Sequence, residues 1–94
     1  MRIACDLDGT LCLEQKEWWE YEKCIPIPIN ILFLNKLFQE GHHIVIYTAR
    51  RKEDKDVTEK WLKKQGVKYH ALVLEKLRCD LYIDANSKRP EELL

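Results

Sequence analysis

The stretch Ile3–Ala4–Cys5–Asp6–Leu7–Asp8–Gly9–Thr10–Leu11 constrains this chain more than any other. A short apolar run ends in two carboxylates one residue apart, and a glycine and a threonine follow at once. Such a run reads as a strand over Arg2 to Asp6, buried on both faces and central in its sheet. Side chains alternate across a strand, so Asp6 and Asp8 fall on one side and can meet one cation or one phosphate. Gly9 lets the backbone turn sharply just past the strand end. Two acids at the carboxyl edge of a sheet suit a metal-assisted phosphoryl site, where Mg2+ takes one or two carboxylates plus phosphate oxygens. The plain alternative is a strand end followed by a solvated acidic turn. Cys5 points away from Asp6 and reads as core.

Downstream, the pattern alternates strand and helix. Residues 11–25 have no clean period and hold Trp18, Trp19 and Tyr21 among four glutamates. They read as a short flap over the carboxyl end of the sheet. Pro28 suits the first turn of a helix and Gly41 the residue after its end. Between them Ile31, Leu34, Leu37 and Phe38 form an apolar stripe, which Leu32 and Phe33 widen beyond what one sheet face needs. His42 to Tyr47 is the second strand, ending in Thr48–Ala49–Arg50. His42 and His43 lie at its far end and have no chemical role. Glu53 to Gln65 is the second helix, with Val57, Trp61 and Leu62 inward. Lys68 to Leu74 is an edge strand, and Asp80 to Ile83 a fourth strand ending at Asp84. Right-handed crossovers then give a small, mainly parallel sheet. Asp6, Thr48 and Asp84 all fall at strand carboxyl ends, where open α/β sheets bind ligands.

The remaining numbers bound the function. With 94 residues the chain allows a single domain, and 46% hydrophobic residues allow a small core. Lysine plus arginine equals aspartate plus glutamate at 16 each, so no basic field favours a nucleic-acid partner. No stretch has the apolar length of a membrane span, and the amino terminus lacks a signal-peptide pattern. Cys5, Cys12, Cys24 and Cys79 are widely spaced and read as free thiols of a cytoplasmic protein.

Asp6–Leu7–Asp8–Gly9–Thr10 resembles motif I of the haloacid dehalogenase (HAD) superfamily, most of whose members are Mg2+-dependent phosphatases. Ile44–Val45–Ile46–Tyr47–Thr48 resembles its motif II, Lys76 its motif III lysine, and Leu81–Tyr82–Ile83–Asp84 its motif IV. Together these cover nearly the whole chain. The closer likeness runs from Gly41 to Arg50, then through Tyr69–His70, Asp80–Asp84 and Arg89–Glu92. It is to small capless members assigned to capsule or surface-polysaccharide biosynthesis. The resemblance implies an α/β, HAD-like Rossmannoid three-layer sandwich with a flap in place of a cap domain. It implies a phosphatase acting on a small phosphorylated metabolite, such as a sugar phosphate, through an aspartyl-phosphate. Asp6 would be the nucleophile and Asp8 the acid and base, with the Thr48 hydroxyl and nearby backbone N–H groups holding phosphate oxygens and Lys76 completing the charge neutralisation. Mg2+ would be held by the Asp6 carboxylate, the Asp8 carbonyl and Asp84. Gly9, Thr10 and Ala49 would bind substrate through their loops. Arg50 would do so through its guanidinium fork, since such forks suit phosphates and sugar acids.

Two positions depart from the family pattern. Motif IV commonly reads Asp–Asp, but Ala85 follows Asp84 here, so a catalytically weakened binding or regulatory protein is the competing reading. Relatives often show Gly–Lys–Pro at motif III, where this chain has Glu75–Lys76–Leu77. An open, capless site also permits a nucleic-acid end phosphatase, against which the neutral charge balance argues. The short flap, the surplus apolar surface of the first helix and the Trp18–Trp19 pair point to a homo-oligomer.

Overall fold

In a computed structural model, described over residues 1–14 and 17–76, three strands form one parallel sheet. They are β1 (Arg2–Cys5), β2 (His43–Tyr47) and β3 (Ala71–Val73), in that spatial order. Ile3 lies opposite Ile44 and Cys5 opposite Ile46, while Tyr47 lies opposite Val73. Parallel neighbours need a crossover. Helix α1 (Pro28–Gln39) supplies the first and α2 (Lys55–Lys64) the second. Pro28 stands in the first turn of α1, where its missing N–H costs nothing.

Alternation along β2 buries Ile44 and Ile46 completely and leaves Val45 and Tyr47 half-buried. The buried pair packs in one cluster with Ile31 and Leu34 of α1 and with Trp61 and Leu62 of α2. Both helices therefore cover the same face. The described residues supply the sheet and one helical layer of the expected sandwich.

Several boundaries differ from the sequence reading. Among the described residues strand β1 pairs with β2 alone, and Arg2 and Ala4 are exposed. The stretch read as a fourth strand, Asp80 to Ile83, lies outside the described residues, as do Asp84, Ala85 and the tail. Strand β3 pairs with β2 alone among the described residues, and it is three residues long rather than seven. The Lys68 N–H donates to Asn35 Oδ1 on α1 at 2.8 Å, so the chain reaches the sheet only at His70, whose N–H donates to the Ile44 carbonyl. His42 and His43 lie at the end of β2 opposite Thr48, where the His43 and His70 rings stack. On α1 the inward stripe is Ile31, Leu34, Leu37 and Phe38, while Leu32 and Phe33 remain 66% and 64% exposed.

The flap is more ordered than its aperiodic sequence suggested. Its base is an antiparallel clasp in which the Leu13 N–H donates to the Ile25 carbonyl and the Ile27 N–H to the Leu11 carbonyl, both at 2.8 Å. Its far part is a 3-10 helix, Trp18–Lys23. Leu11, Cys12 and Cys24 are buried in the core, so the flap is anchored at both ends. The Trp61 indole N–H adds a tie from α2 by donating to the Cys24 carbonyl at 2.9 Å.

Candidate functional site

The carboxyl ends of β1, β2 and β3 gather most of the groups that the sequence singled out. Just past β1, the Asp6 residue is exposed and its Oδ1 accepts the Leu7 N–H at 2.8 Å. That bond fixes the carboxylate plane. Among the described residues the other oxygen has no hydrogen-bond donor, so Asp6 keeps one oxygen for a ligand. Leu7 is wholly buried, and its carbonyl accepts from Thr10, Leu11 and Cys12, which curls the chain into a tight turn. Gly9 makes that turn possible with φ of +85°. A Cβ there would meet nothing within 4 Å, so the glycine answers a backbone requirement and not a lack of space.

The same turn alters the expected substrate contacts. The Gly9 N–H donates to the Cys12 carbonyl and the Thr10 N–H to the Leu7 carbonyl. Both donors are occupied within the turn, so neither offers its N–H to a phosphate in this arrangement. Among the described residues the Asp8 and Ala49 N–H groups have no such partner.

Thr48 follows β2 and is 1% exposed. Its hydroxyl oxygen accepts the Arg50 N–H at 3.2 Å, which leaves the hydroxyl proton to donate. The loop after β3 lies beside it. The Thr48 N–H donates to the Val73 carbonyl at 2.9 Å, and the Lys76 N–H donates to the Thr48 carbonyl at 2.9 Å. The Glu75 N–H donates to the Arg50 carbonyl at 2.7 Å. Lys76 therefore reaches the same sheet edge as Thr48, with its ammonium 5.2 Å from the centre of the Tyr47 ring. Glu75 has φ of +60°, in the left-handed region that disfavours a side chain. Its ion pair with Lys52 is long, at 3.9 Å between exposed groups, and contributes little. Glu75→Gly is expected to raise stability by about 1 kcal/mol in urea unfolding, the backbone strain outweighing the added chain freedom.

Arg50 departs most from expectation. Its side chain is not a free fork for substrate, because Arg50 is 2% exposed and every part of its guanidinium is engaged. Nε donates to Asp8 Oδ2 at 3.0 Å and Nη2 to Asp8 Oδ1 at 2.7 Å. Nη1 donates to Thr58 Oγ1 at 3.0 Å, and Nη2 also reaches Cys24 Sγ at 3.3 Å. The Tyr21 ring lies over the group, 3.8 Å from the guanidinium carbon. The physical reason is that a buried guanidinium needs a counter-charge and a full set of acceptors, and Asp8 with Thr58 meets that need. Burial works against the Arg50 charge, but the Asp8 hydrogen bonds and charge outweigh it and raise the Arg50 pKa above its ordinary value. Burial pushes the Cys12 thiol up, aided by Cys24 and Asp8, so Cys12 stays a neutral thiol that donates towards Asp8 Oδ1 at 3.6 Å.

Thr58 was not singled out from the sequence, and Tyr21 and Cys24 were named only as a flap aromatic and a free thiol, not as partners of Arg50. Thr58 had a signal, since it falls three and four residues before Trp61 and Leu62 and so lies on the buried face of α2. Tyr21 and Cys24 had none, because the flap has no period to read.

A hard divalent ion asks for oxygen donors. The exposed Asp6 carboxylate and the backbone carbonyl of Asp8 match that chemistry. The Asp8 carboxylate does not, because Arg50 holds both its oxygens. Asp84, the third expected ligand, lies outside the described residues. The described side chains that do converge are Asp8, Cys12 and Cys24, whose donor atoms lie within 4.8 Å of one another. Arg50 Nη2 already bonds two of those three, so a guanidinium serves as the cation of that cluster.

No family model matches the chain. A Bacillus cereus protein described as a "putative nucleotidase" is 40% identical over 50 residues, which are 53% of this chain and 26% of that protein. The chain thus spans about a quarter of the length of that curated relative. A crystal structure of a Vibrio cholerae protein superposes with a TM-score of 0.73 at 29% identity, over 97% of this chain and 85% of the other. A chain of the Pnkp1/Rnl/Hen1 complex matches with a TM-score of 0.71 at 23% identity, over 88% of this chain and 30% of its own length. A chain of the Pnkp1/Rnl/Hen1 RNA repair complex gives 0.70 at 22% identity, over 98% and 29%. The architecture shared with these structures is the HAD-like α/β fold. Among the described residues no helix is long and apolar enough to cross a membrane.

Proposed function

We propose that this chain is a Mg2+-dependent phosphatase acting on a small phosphorylated metabolite through an aspartyl-phosphate. The observation that carries the reading is the Asp6 carboxylate, exposed at the carboxyl end of β1, with one oxygen fixed by the Leu7 N–H and the other open. A carboxylate held in this way presents one oxygen to phosphorus without losing orientation. Asp6 attacks the phosphorus, and the bond from phosphorus to the leaving oxygen breaks. Asp8 in its protonated form gives its proton to that oxygen, and the carboxylate so formed, held by Arg50, takes a proton from the water that hydrolyses the aspartyl-phosphate. The Thr48 hydroxyl and the Ala49 N–H donate to phosphate oxygens, and the Lys76 ammonium balances their charge. The Asp6 carboxylate, the Asp8 carbonyl and Asp84 would hold Mg2+, which supplies charge neutralisation to the phosphoryl group.

The test is steady-state phosphate release from an aryl phosphate, a set of sugar phosphates and a set of nucleoside monophosphates, with Mg2+ and with EDTA. The name of the Bacillus cereus relative is the reason to include nucleotides. Metal-dependent turnover of at least one small ester is the expected result. A folded protein that binds Mg2+ and turns over none of them would favour the binding-module reading, for which Ala85 beside Asp84 is the motive.

A further inference from the structure

Arg50 touches three separate parts of the chain at once. It holds Asp8 in the turn after β1, Thr58 on α2, and Tyr21 with Cys24 at the end of the flap. Trp61 adds a second tie between α2 and Cys24. A planar fork is the only cation shape that gives two parallel bonds to one carboxylate while a third N–H reaches a hydroxyl and an aromatic ring covers its face. Asp8 itself is partly open, with its side chain 22% exposed against 1% for that of Arg50. The cation is therefore the fixed member of the pair, and the carboxylate takes its place from it.

We propose that Arg50 is a positioning residue that joins the flap and Asp8 into one unit. The flap is then a fixed wall of the site, set in place by the guanidinium that also orients the Asp8 carboxylate. The kinetic half of this proposal rests on the phosphatase reading, whereas the flap half does not.

Full-length Arg50→Ala, Arg50→Lys and Tyr21→Leu chains test it, with folding checked by circular dichroism. In Arg50→Ala, kcat for the best ester is expected to fall about a hundredfold, as for a misplaced catalytic group, with KM nearly unchanged. Millimolar guanidinium chloride should restore at least about a tenth of the lost kcat, and sodium chloride at equal ionic strength should not; ammonium from Arg50→Lys should rescue less than the fork. Loss of a merely structural side chain would not answer selectively to guanidinium. Trypsin should cleave after exposed Lys23 faster in Arg50→Ala and Tyr21→Leu than in the parent chain. Parent-like kcat in folded Arg50→Ala, or parent-like protection of Lys23 in both variants, overturns the proposal. If Arg50→Ala does not fold, Tyr21→Leu, which keeps the Asp8 pair, decides it by the same cleavage. If the parent chain hydrolyses nothing, the phosphatase reading fails while the Lys23 protection still decides whether Arg50 fixes the flap.

Discussion

Asp6→Asn is expected to lower kcat for phosphate-ester hydrolysis by on the order of 10^5-fold, as losses of covalent nucleophiles do, while the protein unfolds at nearly the same urea concentration. Both halves follow from one bond. The Asp6 Oδ1 accepts the Leu7 N–H at 2.8 Å, and an asparagine carbonyl oxygen can accept the same bond, so the turn after β1 survives. Asp6 is exposed, so the new amide meets water and no buried group loses its partner. What disappears is the second carboxylate oxygen and its charge, which in the proposed mechanism attack phosphorus and help to hold Mg2+. Mass spectrometry of acid-quenched protein incubated with substrate gives an independent readout. The parent chain should gain a phosphoryl adduct that Asp6→Asn lacks. Substantial turnover by Asp6→Asn would exclude the aspartyl-phosphate route, since an amide cannot form that intermediate.

The parts of this fold that could be read in the sequence are those in which burial enforces a period. Ile44 and Ile46 alternate because one face of β2 is covered, and Ile31, Leu34, Leu37 and Phe38 recur at helical spacing for the same reason. Asp6 and Thr48 could be brought to one sheet edge because strand ends in a parallel sheet share a side, whereas the place of Lys76 comes from the loop after β3 and was not legible. The interior of the site could not be read in this way. Nothing in Thr48–Ala49–Arg50 says whether the arginine turns outward to a ligand or inward to Asp8. That choice depends on acceptors 42 residues away at Asp8 and eight away at Thr58, and only the assembled fold brings them together. The flap was opaque for a related reason. Its order comes from a clasp at its base and from contacts with Arg50 and Trp61, none of which leaves a repeat in the sequence. Glu75 stands between these cases. A glutamate in a left-handed turn contradicts local preference, yet the turn is what carries Lys76 to Thr48, so the loop after β3 keeps its shape despite the residue.

The Asp8–Arg50 pair makes a second demand on stability, with a sign that separates two accounts of its role. Asp8→Leu should destabilise the chain by about 3–5 kcal/mol, because it strands a buried guanidinium without its counter-charge. For a domain of this size the whole folding free energy is roughly 5–14 kcal/mol, so the variant stands near the limit of folding. Its Tm should fall by about 4–8 °C for each kcal/mol. Arg50→Met should cost less, since the Asp8 side chain is 22% exposed and water can solvate the carboxylate that remains. The double variant Asp8→Leu/Arg50→Met should recover much of the loss, because two apolar side chains replace two charges whose desolvation nearly cancels their attraction. Urea unfolding of the four proteins gives the coupling energy directly. Recovery in the double variant would mean that the fold tolerates the pair without depending on it. Its retention would then reflect placement of Asp8 beside Asp6, at the cost of a charged group in the core. A double variant no more stable than Asp8→Leu alone would mean the reverse, that Arg50 with Thr58, Cys24 and Tyr21 is a structural centre of the fold and its effect on Asp8 a by-product.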